Sequence, residues 1–139
     1  RGETDADDVG FIRAVVADIG ANATSIDRSR IYAAGISNGG LMTNRLACDL
    51  SNKIAAVATV APAAVPTNCQ PMRPVPMLDI HGLKDTCNPF YGGTPTNELC
   101  KNVDYVRMTP AATVSRWREI NSCSDQKQEP RRLPRLFYS

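Results

Sequence analysis

One short segment limits the folds open to this chain of 139 residues more than any other: Gly35-Ile36-Ser37-Asn38-Gly39-Gly40. Just upstream, Arg-Ile-Tyr-Ala-Ala at residues 30–34 reads as a short strand. Downstream, Leu41, Leu46 and Leu50 are the apolar anchors of a helix over residues 41–50. A G-x-S-x-G sequence between a strand and a helix predicts a sharp turn, the nucleophile elbow, with the serine exposed at its tip. Backbone segments approach closely in such a turn, so small residues are needed beside the serine. The helix that follows aims backbone N–H groups and the positive end of its dipole at the place where an oxyanion would develop. Ser37 is therefore the candidate nucleophile, and the N–H of Asn38, the next residue, is the expected oxyanion donor.

The rest of the chain supplies the frame for that turn. Residues 5–19 read as a helix, with Asp5, Asp7 and Asp8 crowding its first turn and Val9, Ile12, Val15, Val16 and Ile19 at helical spacing. Gly20 and Asn22 are expected to end it. Residues 54–60 form a near-continuous apolar run, the signature of a buried strand in a parallel sheet. Residues 66–74 read as loop, and residues 75–80 as a further strand with Pro76 near its start. Residues 110–120 read as a helix with Pro110 in its first turn and Thr109 as N-cap. Strands and helices that alternate in this way predict an α/β fold, a parallel sheet with covering helices. Residues 1–123 read as one domain. Residues 124–139 include Gln-Lys-Gln-Glu-Pro-Arg-Arg-Leu-Pro-Arg, have no hydrophobic period, and read as an irregular tail.

Composition narrows the partners. A net charge of +2 gives no broad electrostatic footprint for nucleic acid. No apolar run approaches the roughly 18–20 residues of a membrane span. His81 is the only histidine and no C-x-x-C pair occurs, so a zinc site is not expected; nucleophilic catalysis by a serine would need neither metal nor organic cofactor. The five cysteines at 48, 69, 87, 100 and 123 fit an oxidising compartment. Cys48 and Cys69 flank the second strand and could staple its ends, while Cys87 and Cys100 could close the next long loop. That leaves Cys123 as the odd thiol, although spacing alone allows other connectivities.

His81-Gly82-Leu83-Lys84-Asp85 leaves the third strand as a loop. In serine hydrolases with an elbow of this kind the acid follows a later strand, and the chain order is serine, acid, histidine. Asp85 fits that place and order. Its task would be to hold the imidazole tautomer and stabilise the imidazolium. A solvated turn aspartate fits the same spacing. His81 is a candidate base only because it is the sole histidine. It precedes Asp85 at a strand end, a position better suited to a packed histidine that orients the acid loop.

Several separated motifs share one resemblance. They are Asp8-Val9-Gly10-Phe11-Ile12, Ile26-Asp27-Arg28-Ser29-Arg30-Ile31-Tyr32, the Ser37 segment, Arg45-Leu46-Ala47-Cys48, Ile54-Ala55-Ala56-Val57-Ala58, Arg73-Pro74-Val75-Pro76, His81-Gly82 with Asp85, Tyr91-Gly92-Gly93, and Trp117 with Asn121 and Cys123. In this order they resemble the secreted polyhydroxybutyrate depolymerase and feruloyl esterase family. The resemblance implies an extracellular α/β-hydrolase acting on polyester or phenolic esters, with Ser37 as nucleophile and Asp85 as acid. It also implies a His-Gly oxyanion loop before Arg1 and a Gly-His segment after Cys123. The chain is therefore expected to be a partial α/β-hydrolase domain, an inactive fragment without its catalytic histidine. Strands at both edges of such a remnant would lack their neighbours, so self-association is expected. Two other readings remain open at this stage: a non-catalytic remnant or polymer-binding module, and another α/β-hydrolase such as a serine peptidase. Oligomeric state is not predicted.

Overall fold

A computed structural model of the protein describes residues 6–23, 25–101 and 107–124. The first helix, α1 (Asp8–Asn22), starts where Asp7 caps it by accepting the Gly10 N–H at 2.7 Å. It runs past Gly20 instead of ending there. Asn22 Nδ2 donates to Asp18 Oδ1 at 2.8 Å, the Arg28 guanidinium donates to the Gly20 carbonyl, and the Ala23 N–H reaches the Ile19 carbonyl at 2.9 Å. The Ile19 and Gly20 carbonyls of the last turn are thus bonded, and one glycine is too small a penalty to break it.

Three parallel strands follow in the order β1-β2-β3: β1 (Tyr32–Ile36), β2 (Ala56–Val60) and β3 (Met77–Ile80). Each starts two residues later than its sequence suggests. Tyr32 pairs with Ala56 and Ile36 with Val60, so β1 runs right up to Ser37. The Ile54 N–H turns back to the Leu50 carbonyl at 2.9 Å, which takes Ile54 out of the ladder while leaving it in the core. Asn121 takes both backbone groups of Val75, its Oδ1 accepting from the N–H at 3.0 Å and its Nδ2 donating to the carbonyl at 2.9 Å. The helix α2 (Asn38–Asp49) begins directly after Ser37, three residues before the expected start. A short α3 (Glu98–Lys101) was not anticipated. The last helix, α4 (Pro110–Ile120), has the expected bounds, with Thr109 Oγ1 accepting the Ala112 N–H at 3.1 Å.

One core lies under one face of the sheet. It gathers Leu46, Ala47, Cys48 and Leu50 at the end of α2, Ile54 and Val57 around β2, Val65, Cys69 and Val75 from the connections, and Trp117 from α4. Trp117 is wholly buried and gives its indole N–H to Asn44 Oδ1 at 3.1 Å; Asn44 Nδ2 donates to the Ala64 carbonyl at 2.8 Å. Both buried polar side chains are thereby satisfied, as burial requires. A disulfide joins Cys48 to Cys69 inside this core. Closing a loop of that length stabilises the fold by about 3 kcal/mol in the chain-entropy account.

The opposite face differs from the expectation of a sheet covered by helices. Among the described residues nothing covers it, and Tyr32, Ile36, Leu78 and Ile80 stand 50–66% exposed there. Ala34, Ala58 and Leu78 form one cross-strand row, and Ile36, Val60 and Ile80 the next. Because the strands are parallel and consecutive, Ser37, Ala61 and His81 all emerge at the same end of the sheet. That carboxyl end is where open α/β sheets bind their ligands.

Candidate active site

Ser37 stands between the last residue of β1 and the first of α2 with φ 53° and ψ −116°. Positive φ is rare for a residue with a side chain and costs on the order of 1–3 kcal/mol. The strain is held from both sides. The Ser37 N–H extends the ladder to the Val60 carbonyl at 2.8 Å, and its carbonyl accepts the Leu41 N–H at 3.1 Å, opening α2. The glycines around it have unequal duties. A Cβ on Gly35 would collide with the backbone carbonyl of Gly39 and lie 2.8 Å from Thr43 Oγ1. A Cβ on Gly40 would press on the Gly35 oxygen and on Pro62, each at 3.3 Å. A Cβ on Gly39 would meet nothing within 4 Å. Close approach of strand and helix therefore demands glycine at 35 and nearly so at 40, but not at 39. Thr43 fastens the turn by donating to the Gly39 carbonyl at 2.8 Å. Asn38 opens α2, so its N–H is one of the helix's orphan donors.

Asp85 lies on the loop after β3. Its Oδ1 accepts the N–H groups of Cys87 and Asn88, both at 2.8 Å, and its own N–H reaches the Gly82 carbonyl at 3.2 Å. Its other oxygen, Oδ2, sits 3.6 Å from His81 Nε2. His81 itself is buried, its side chain 2% exposed, and lies edge-on to Phe90. His81 Nε2 is 2.7 Å from the Asn88 carbonyl oxygen. A carbonyl only accepts, so Nε2 carries a proton; Nδ1 is the other ring nitrogen. Among the described residues that buried Nδ1 has no hydrogen-bond partner. The neighbouring carboxyl, Asp79 on β3, is lifted above its ordinary value by burial, against the Thr59 hydrogen bond at 3.0 Å and the field of His81.

A cavity of about 180 Å³ joins the two halves of the site. Ser37 and Asn38 line it together with Cys87, Asn88, Leu99, Cys100 and Arg107. Cys87 and Asn88 are the residues whose N–H groups hold Asp85, and a disulfide ties Cys87 to Cys100 across the cavity wall. A larger hollow of about 500 Å³ opens on the other side of Asn38, between α1, α2 and Pro66. Cys123 is exposed and unpaired. Among the described residues no cluster of metal-ligating side chains occurs, and no helix is long and apolar enough to cross a membrane. Residues 125–139 of the expected tail lie outside the described residues.

Sequence reasoning overlooked Asn88 and Arg107. Asn88 precedes Pro89, and an Asn-Pro pair is a turn signal that could have drawn attention to it. Nothing in the local sequence marks Arg107, whose guanidinium donates to the Cys100 carbonyl.

No protein-family model matches the chain. It is 33% identical to feruloyl esterase B of Piromyces equi over 131 residues, which is 91% of this chain and 24% of that protein. It is 32% identical to the probable feruloyl esterase C of Aspergillus niger over 95 residues, 68% of this chain and 35% of that protein. Over 61 residues it is 38% identical to the bifunctional acetylxylan esterase/xylanase of Neocallimastix patriciarum, 44% of this chain and 9% of that protein. The chain thus spans between about a quarter and a third of the feruloyl esterases it matches. Each of these relatives is named as an esterase, and it is to part of each that the chain is similar.

Proposed function

We propose that the chain carries the nucleophile and the acid of a serine carboxylic-ester hydrolase of the feruloyl esterase and polyhydroxybutyrate depolymerase type. On this reading it is part of an α/β-hydrolase fold, and the Ser37 turn is its nucleophile elbow. One observation supports the reading above the others. Ser37 is held at positive φ between a parallel strand and a helix, and it shares a cavity with the residues that hold Asp85. Ser37 Oγ attacks the ester carbonyl, the Asn38 N–H steadies the oxyanion, and an imidazole oriented by Asp85 takes the serine proton and returns it to the leaving alcohol. Water then releases the acid. His81 is unsuited to that imidazole's part, because its Nε2 proton is committed to the Asn88 carbonyl and its ring is buried. The substrates are phenolic esters or polyester, and the two disulfides support an extracellular setting.

The test separates nucleophile from base. In plain buffer the 139-residue chain is expected to hydrolyse p-nitrophenyl acetate no faster than its Ser37→Ala variant. Turnover that disappears in both Ser37→Ala and His81→Ala would make His81 the base. In imidazole buffer, which supplies a diffusible base, an alkyl fluorophosphonate is expected to modify Ser37: the Oγ–P bond forms, the P–F bond breaks, fluoride leaves, and imidazole takes the proton. Peptide mass spectrometry locates the adduct, and its absence from Ser37 would sink the esterase reading.

A further inference from the structure

The loop that carries Asp85 is fastened at several points, and one residue, Asn88, makes three of its bonds. Asn88 is 5% exposed and uses three of its groups on three different parts of the site. Its N–H donates to Asp85 Oδ1 at 2.8 Å. Its carbonyl accepts the His81 Nε2 proton at 2.7 Å. Its side-chain Nδ2 donates to the Ala61 carbonyl at 2.9 Å, a bond buried from solvent. Ala61 is the first residue beyond β2, has φ 47°, and is itself held by donating its N–H to the Ile80 carbonyl at 2.8 Å. The side chain of Asn88 thus ties the acid's loop to the middle strand, while its carbonyl ties the same loop to the end of β3.

We infer that Asn88 is a positioning residue for Asp85, setting where the carboxylate stands relative to Ser37. The inference rests on the reading of Asp85 as the acid of the site. Two of the three bonds are made by main-chain groups that any residue offers. The side-chain amide is the part specific to asparagine: it must donate to one carbonyl from a loop whose own N–H and C=O are already engaged. Alanine keeps the two backbone bonds but releases the tether, and aspartate keeps the shape while setting an acceptor against an acceptor. His81 belongs to the same device. Its proton is used on the Asn88 carbonyl, and its ring packs against Phe90.

The test uses the 139-residue chain and phosphonylation of Ser37 in imidazole buffer. An orienting carboxylate acts on imidazole and not on the fluorophosphonate. Asn88→Ala is therefore expected to raise the imidazole concentration needed for half-maximal labelling and to slow labelling by about tenfold or more, since small misplacements of catalytic groups cost up to roughly 100-fold. The dependence on fluorophosphonate concentration should stay as in the unsubstituted chain, which a general loss of structure would not allow. Asn88→Asp should behave like Asn88→Ala; if either variant loses its cooperative unfolding transition, the other decides. Hydrogen exchange on the unsubstituted chain supplies a measurement free of any variant. The amides of Cys87 and Asn88 should exchange as slowly as those of β3, and exchange at the rate of an open loop would overturn the inference. Labelling of Asn88→Ala and Asn88→Asp with unchanged rate and imidazole dependence would overturn it too, provided Asp85→Asn is slow. Asp85→Asn labelling as fast as the unsubstituted chain would instead remove the acid reading on which the inference stands.

Discussion

Ser37 and Asp79 each hold a conformation or an ionisation that the fold imposes. Ser37 is kept at φ 53° by bonds on both sides, a geometry in which glycine is at ease and alanine is not. Ser37→Gly is accordingly expected to unfold at higher denaturant than Ser37→Ala, by about 1 kcal/mol once the extra freedom of glycine in the unfolded chain is discounted. Equal stability of the two variants in urea would show that the turn is unstrained. Asp79 offers a pH test. Burial raises its carboxyl above the ordinary 3.8, so the folded state holds that proton more tightly than the unfolded chain. Stability from this group is present below the unfolded-state value and is lost as pH rises through the folded one. Asp79→Asn keeps an acceptor for Thr59 and should raise the melting temperature near neutral pH, with the gain vanishing below pH 3.8. A gain that persists in acid would show that the charge is not the cause. Ser37 was legible in sequence because its glycines and flanking elements sit beside it. Asn88 was not, because its three partners come from three separate places in the chain and meet only in the folded state.

Among the elements, β1 and α2 approach so closely at Gly35 that glycine is needed there. Gly35→Ala is expected to cost about 2 kcal/mol or more, since the collision is with backbone that cannot swing aside. Gly39→Ala meets open space and should leave the thermal transition nearly unchanged. The reverse ranking in thermal melts would contradict the described packing of β1 on α2. Here sequence and structure diverge in an instructive way. The G-x-S-x-G pattern marks Gly35 and Gly39 alike, while the structure gives Gly40 more of the steric burden than Gly39. Element types were readable from period and turn residues, and all three strands were anticipated. Their starts were not, because Ile54 and Val75 look like strand residues and lose their ladder partners to Leu50 and to the side chain of Asn121. The latter lies 46 positions from Val75, beyond the reach of any local pattern.

The whole molecule is lopsided. One face of the sheet is packed against α2 and Trp117, while the other shows Tyr32, Ile36, Leu78 and Ile80 to solvent. Both β1 and β3 are edges of the described sheet. Contiguous apolar surface beside open edges favours pairing between chains. The isolated chain is expected to self-associate as its concentration rises, read by light scattering. Tyr32→Lys together with Leu78→Lys should reduce that association without shifting the core. A monodisperse monomer at high concentration would show that this face is stable in water as it stands.

The strand order has a consequence for how the site comes into being. Each strand in the sequence lies beside the one before it. Residues 32–60 alone contain every backbone bond that holds the Ser37 turn, from the β1–β2 ladder to the bond between the Ser37 N–H and the Val60 carbonyl. The loop of Asp85 needs β3, His81 and Asn88, which are made later. In chain order, every residue that holds the Ser37 turn therefore precedes those that hold Asp85, so a chain stopped after Val60 has the bonds of the first and none of the second.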